Sequence, residues 1–140
     1  MTAAVSIDRG ARPSVGTRVW IGRVMRGLIV AFLVFDGGIK VLGLPIVEET
    51  MTQLGYPPGL GLGLGVMTLA IALLLALPRT ALLGAVLLTG LLGGAMATHL
   101  RADSPLFSHL LFGLYLGLIA WGGLWLTDAR LRALLPLRRA

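Results

Sequence analysis

Four apolar stretches set what this chain can fold into. They run over residues 20–44, 60–77, 80–100 and 106–126. Each has roughly the 18–25 residues that a helix needs to cross about 30 Å of hydrocarbon. Only helices and closed barrels satisfy their own backbone polar groups in lipid, and none of the stretches alternates as a barrel strand does. Composition leaves no soluble alternative. The residues AVILMFWYC make up 56% of the 140, glycine brings the apolar share to about 70%, and only 13% are charged. A soluble domain carries about 45–50% and 25% on similar counts, and one this small has too little interior to hide the excess. The sequence therefore predicts an all-α integral membrane protein, a four-helix bundle with short connections. It excludes a soluble enzyme, a secreted disulfide scaffold and a disordered chain. With no cysteine, thiol–disulfide chemistry and Cys-ligated zinc or iron–sulfur clusters are excluded too.

Pro78 and Arg79 alone separate the second and third stretches, which must form a tight hairpin, and residues 101–105 join the third to the fourth. The 45–59 connection is longer. Val47, Met51 and Leu54 recur there at helical spacing, with Glu48, Glu49, Thr52 and Gln53 between them. This pattern predicts a short amphipathic helix on the outer membrane surface, with Tyr56 as an interfacial anchor. Residues 1–18 read as a disordered cytoplasmic tail, 19–137 as the membrane domain, and 127–140 as a basic cytoplasmic tail overlapping its end. No signal peptide is expected, because Arg23 and Arg26 interrupt the first apolar run. Arg9, Arg12, Arg18, Arg23, Arg26, Arg79, Arg130, Arg132, Arg138 and Arg139 fall on one side of a four-span chain, and the opposite loops carry only Arg101. The positive-inside rule then puts both termini in the cytoplasm, with a bacterial plasma membrane as the expected location. Topology accounts for the net charge of +6, so no nucleic-acid partner is expected.

Lipid tails are as apolar as leucine, so helices in a bilayer associate through small residues that permit close approach. Gly61 and Gly65, Gly90 and Gly94 (with Gly93 and Ala97), and Gly113 and Gly117 supply that spacing, and helix packing is their expected role. Ionisable groups inside a membrane are costly and mark candidate sites. Asp36 and Lys40 are four residues apart on one helix face, in the order that favours pairing. His99, Arg101 and His109 sit at the same outer depth, and the five are expected to build an outward-facing polar ligand pocket. A pair that merely fixes the rotation of the first helix is the plainer reading of Asp36 and Lys40. Trp20, Trp121 and Trp125 fit an interfacial belt. Two histidines at one depth could ligate a haem, but their helix faces do not obviously converge, so neither haem nor a zinc site is expected. No catalytic constellation is visible, and the chain is not expected to be catalytic alone.

Asp36-Gly37-Gly38-Ile39-Lys40, Leu54-Gly55-Tyr56-Pro57, Leu77-Pro78-Arg79-Thr80, the run Leu88 to Ala95, Thr98-His99-Leu100-Arg101 and Leu106-Phe107-Ser108-His109 follow in order along the chain. Together they resemble the DoxX-like family of four-helix membrane proteins, over about Arg23 to Leu137. The resemblance implies a four-span fold and supports the polar set. Relatives include membrane subunits of quinone-linked thiosulfate oxidation, and membrane chaperones or assembly factors. The expected function is a small membrane accessory subunit of a quinone-linked redox or oxidative-stress system, binding a quinone-like or lipid ligand. The alternative is a non-catalytic scaffold or assembly chaperone, with membrane or peripheral protein partners or a second copy of itself. A small transporter is a third reading, and it would need oligomerisation. Quinone is the one cofactor these readings suggest.

Overall fold

The computed structural model describes residues 15–135. Among them are six α-helices and no strand: α1 (Val15–Val41), α2 (Pro45–Gln53), α3 (Leu60–Ala76), α4 (Ala81–Arg101), α5 (Phe112–Thr127) and α6 (Ala129–Leu134), with a π-helical turn at Leu106–Leu110 before α5. The first helix begins earlier than the apolar pattern suggests. Residues 15–18, expected in the tail, are helical, and the Arg18 guanidinium lies 6.0 Å from the centre of the Trp125 ring, so its charge has an aromatic partner at the helix end. The expected disorder of residues 1–14, Arg9 and Arg12 in the N-terminal segment, and Arg138 and Arg139 in the basic tail all lie outside the described residues.

The all-helical class follows from the apolar runs. α4 and the segment Leu106–Thr127 are each long and apolar enough to cross a membrane, and α1 with α2 passes as one span bent by 91°. α3 has 17 residues, or about 26 Å of helix. α1 packs along α3 and α5, and α4 packs on the same two, closing a ring of the four longer helices. Ile29, Leu33, Ile71, Leu75, Ala85, Leu88 and Ala120 fill its centre. The outward faces are also apolar, with Leu28, Phe35, Leu62, Leu73, Leu83 and Leu118 exposed, as lipid-facing residues must be.

Three helices stop at one end of this ring in the same way. Gly43 donates to Lys40 O and Leu44 to Ile39 O; Gly55 donates to Thr52 O and Tyr56 to Met51 O; Asp103 donates to Leu100 O and Ser104 to His99 O. These are Schellman closures, in which one left-handed residue lets the chain turn back on the last carbonyls. Gly43 (φ 62°), Gly55 (φ 79°) and Asp103 (φ 49°) fill that position. After the first closure Pro45 starts α2 at the place where its missing N–H costs nothing. The predicted amphipathic helix is α2, with Val47 and Met51 buried. It does not simply lie on a surface, because these side chains fold over the end of the ring.

Glycine contacts decide which helices touch. A methyl group on Gly22 would lie 2.7 Å from the Gly123 carbonyl oxygen, joining α1 to α5; one on Gly65 would lie 2.8 Å from Lys40 Cβ and 2.9 Å from the Gly37 oxygen, joining α3 to α1. Gly61 packs on Val47 and Glu48, and Gly113 on Met96, while Gly117 only grazes Leu92 at 3.8 Å. The expected packing role of Gly90 and Gly94 is not what the structure shows. A methyl group on either would meet nothing within 4 Å, nor would one on Gly93. The reason lies one hairpin turn away. Gly84 is pressed on the backbone of α3, 2.6 Å from Leu75 N to the would-be methyl, so α3 and α4 touch beside Pro78-Arg79 and leave space where Gly90 and Gly94 stand.

The two kinds of glycine should respond oppositely to alanine. Gly84→Ala drives a methyl into the α3 backbone and should cost about 1–3 kcal/mol. Gly94→Ala meets no atom and should gain up to about 1 kcal/mol from helix propensity. Thermal unfolding of both variants in detergent checks the pair.

Candidate functional site

The space between α3 and α4 is part of a cavity of about 850 Å³, reaching from α1 to α5 at the end of the ring covered by α2. This is within the range of pockets that hold one small molecule. Its deeper walls are apolar, from Leu33, Leu64, Ile71, Leu74, Leu91 and Leu116. Thr68, 1% exposed, gives its hydroxyl to its own helix, donating to Leu64 O at 2.8 Å. At the covered end the character changes. Asp36, Lys40, Tyr56, Thr98, His99 and His109 come together around the cavity.

Each polar residue is placed by its own stretch of chain. Lys40 Nζ donates to Asp36 Oδ2 across one turn of α1, with side chains only 19% and 27% exposed. Gly37, between them, lets α3 approach, so the pair is held against Gly65. His99 Nδ1 lies 3.0 Å from Ser104 Oγ, across the Schellman turn that ends α4. His109 Nδ1 lies 2.7 Å from Ser108 Oγ. The two imidazoles meet edge to face, ring centroids 5.4 Å apart. With each Nδ1 engaged by a serine, each ring has its Nε2 to offer.

Helical periodicity does not predict that meeting, and the expectation that the two faces fail to converge is overturned. The cause is the π-helical turn. Leu110 N reaches back to Pro105 O and Leu111 N to Leu106 O, so the turn holds one residue more than an α-turn. His109 faces His99 at the cavity, which Gly113 and Leu116 of α5 line as well. Among the described residues no group of three His, Cys, Asp or Glu side chains could hold a metal ion.

Arg101 is not brought into the cavity. Its Nη2 donates to Leu54 O at 2.8 Å, satisfying a carbonyl at the end of α2. Tyr56 does more than anchor an interface: its hydroxyl is 2.5 Å from Thr98 Oγ1, bridging the α2–α3 connection to α4. Tyr56 and Thr98 are the site residues that sequence reasoning missed. No spacing rule pairs residues 42 apart in the chain. At the opposite end Trp121 Nε1 donates to Thr89 Oγ1 at 2.9 Å, and Arg132 caps α5 through the carbonyls of Trp125 and Leu126.

With this geometry in place, a family model, that of the DoxX-like family, matches residues 24–123. The chain belongs to the DoxX-like family. The matched span holds α1 from its third turn onward, all of α2 to α4, the π-helical turn and most of α5, and so every residue of the polar cluster; α6 lies beyond it. No curated protein and no solved structure matches the chain. Family and apolar helices together make it a small membrane protein.

The Asp36–Lys40 pair yields a three-sample test. Lys40→Ala leaves a half-buried carboxylate without its cation and should destabilise by about 1–3 kcal/mol, between the values for exposed and buried pairs. Replacing both residues by leucine removes the unpaired charge and should restore parental stability or exceed it. Unfolding temperatures of parent, single and double variants in one detergent decide the matter.

Proposed function

We propose that this DoxX-like protein crosses the membrane four times, with α1, α3, α4 and α5 as spans and both termini in the cytoplasm, and holds one amphipathic molecule in its cavity. The molecule is quinone-like or lipid in character. Its tail lies among the leucines of α3 and α4, and its polar head meets Lys40, Tyr56, His99 and His109. The observation that carries this reading is the gradient inside one 850 Å³ space, charged and imidazole groups at the covered end and apolar walls beyond, where the Thr68 hydroxyl is spent on its own helix. Lys40 is a donor, the Tyr56 hydroxyl, bonded to Thr98, keeps a lone pair that can accept, and a histidine Nε2 can donate or accept. The set suits a head with carbonyl, hydroxyl or phosphate oxygens. Arg101 serves as a positioning residue for α2.

Charge supports the orientation. Arg18, Arg23, Arg26, Arg79, Arg130 and Arg132 belong to the half where α3 and α4 are closed, with Asp128 the acid of that end; at the other end Arg101 stands with Glu48, Glu49 and Asp103, among the described residues. Asymmetry of this sign puts the closed end inside. The cavity then lies in the outer half of the membrane, and a bacterial plasma membrane is the setting proposed for it. In that setting the protein acts as an accessory subunit of a quinone-linked redox or oxidative-stress system, presenting or storing the bound molecule for a partner.

Two measurements test this. Gln53→Cys in α2 should react with an impermeant thiol reagent applied outside intact cells, and Ala133→Cys in α6 should not; the reverse pattern overturns the orientation. Solvent extraction and mass spectrometry of gently purified protein should find a stoichiometric amphiphile in the parent, and at least tenfold less in the folded Asp36→Leu, Lys40→Leu double variant. Parent protein that carries no small molecule but retains a second protein would point to a scaffold or assembly chaperone.

A further inference from the structure

The cavity has two boundaries that a ligand could cross, and they differ in kind. Towards the end of the ring it is roofed. α2 covers it with Val47 and Met51, 6% and 8% exposed, and two side-chain hydrogen bonds tie that roof to α4, Tyr56 to Thr98 and Arg101 to the Leu54 carbonyl. Towards the side it is open. Gly90 and Gly94 line the cavity, meet nothing within 4 Å where a side chain would stand, and are themselves exposed. Across from them on α3, Met67 and Ala70 line the same space and are exposed.

This opening lies in a belt that carries no charge. Residues 60–78 contain no acidic or basic side chain, and neither do residues 80–98. Leu62, Val66, Leu73 and Leu83 are exposed on the helices that frame it. Bare helix backbone at Gly90 and Gly94 costs little beside hydrocarbon, because the helix satisfies its own N–H and C=O groups.

From these boundaries we infer that the cavity is filled sideways from the bilayer, through the gap between α3 and α4 kept open by Gly90 and Gly94, and not from water through the roof. The inference rests on the reading of the cavity as a ligand site. It narrows the ligand to a molecule already dissolved in the membrane, able to slide between two helices head and tail together. It also gives the two glycines a role: they are the threshold of the site, and their lack of a side chain sets the width of what passes.

The sequence has no cysteine, so one introduced thiol reports access without background. Thr68→Cys puts it on the buried face of the cavity, and Ile71→Cys, at a position 3% exposed, is a second reporter should the first not fold. The protein is reconstituted in phosphatidylcholine vesicles containing phosphatidylglycerol, with N-dodecylmaleimide dissolved in the bilayer, and the rate of thiol loss is measured. Adding Gly90→Leu or Gly94→Leu to the reporter should slow labelling at least tenfold, because each side chain projects into the gap from a Cβ that meets nothing within 4 Å. Adding Arg101→Gln, which removes the hydrogen bond that ties the roof to α4 through the Leu54 carbonyl, should leave the rate within about twofold. A rate that rises tenfold with Arg101→Gln, or that ignores both leucines while the variants keep parental helicity and melting temperature, overturns the inference. Because the probe is a reagent and not the native molecule, a failure here is separable from finding no copurified amphiphile.

Discussion

α3 and α4 form a hairpin that is closed at one end and open at the other, and the rest of the molecule depends on that wedge. Its closed end is backbone on backbone, Gly84 against Leu75, beside a connection too short to let the helices separate. Its open end is spanned by α2 and the Tyr56–Thr98 bridge. In water such a wedge would collapse, because apolar walls gain by meeting. In a bilayer the walls gain nothing from meeting that lipid does not already give them. A cleft floored by glycine can then persist without an internal side chain to fill it.

The remaining contacts keep the wedge from closing by another route. α1 is locked to α3 by the reciprocal Gly37–Gly65 contact and to α5 by Gly22–Gly123, and it carries Asp36 and Lys40 to the cavity on its own rigid turn. Schellman closures at Gly43, Gly55 and Asp103 turn the chain sharply at one end. The same turns place the carbonyl that Arg101 reaches and the serine that orients His99. Each polar group at the cavity therefore has a partner supplied by the local fold, which leaves the polar end of the cavity preformed.

Much of this was legible in the sequence. Apolar length gave the four longer helices to within a few residues, because burial of backbone in lipid leaves the helix as the only local answer. The helix of residues 45–53 followed from the spacing of Val47 and Met51, and the Asp36–Lys40 pair from i, i+4 geometry. What could not be read was anything fixed by a partner element. Small-residue spacing marks where a helix can be approached, not whether anything approaches; Gly65 and Gly90 look alike in sequence, yet one is packed and the other bare. The meeting of His99 and His109 joins the end of α4 to a π-helical turn, for which Leu106 to Leu110 carries no periodic signature. Tyr56 and Thr98 are joined only because α2 folds back, and that fold is set by Gly43 and Gly55 at positive φ.

The central claim is that this wedge is an occupied site in the membrane, and an experimental structure of the parent protein crystallised from a lipid phase tests it most directly. The account predicts a single elongated density in the cavity, with its apolar end between α3 and α4 beside Gly90 and Gly94 and its polar end within hydrogen-bonding distance of Lys40, Tyr56 or one of the histidines. Helices α3 and α4 packed together along their whole length, or a helix from a second chain seated in the gap, would contradict it.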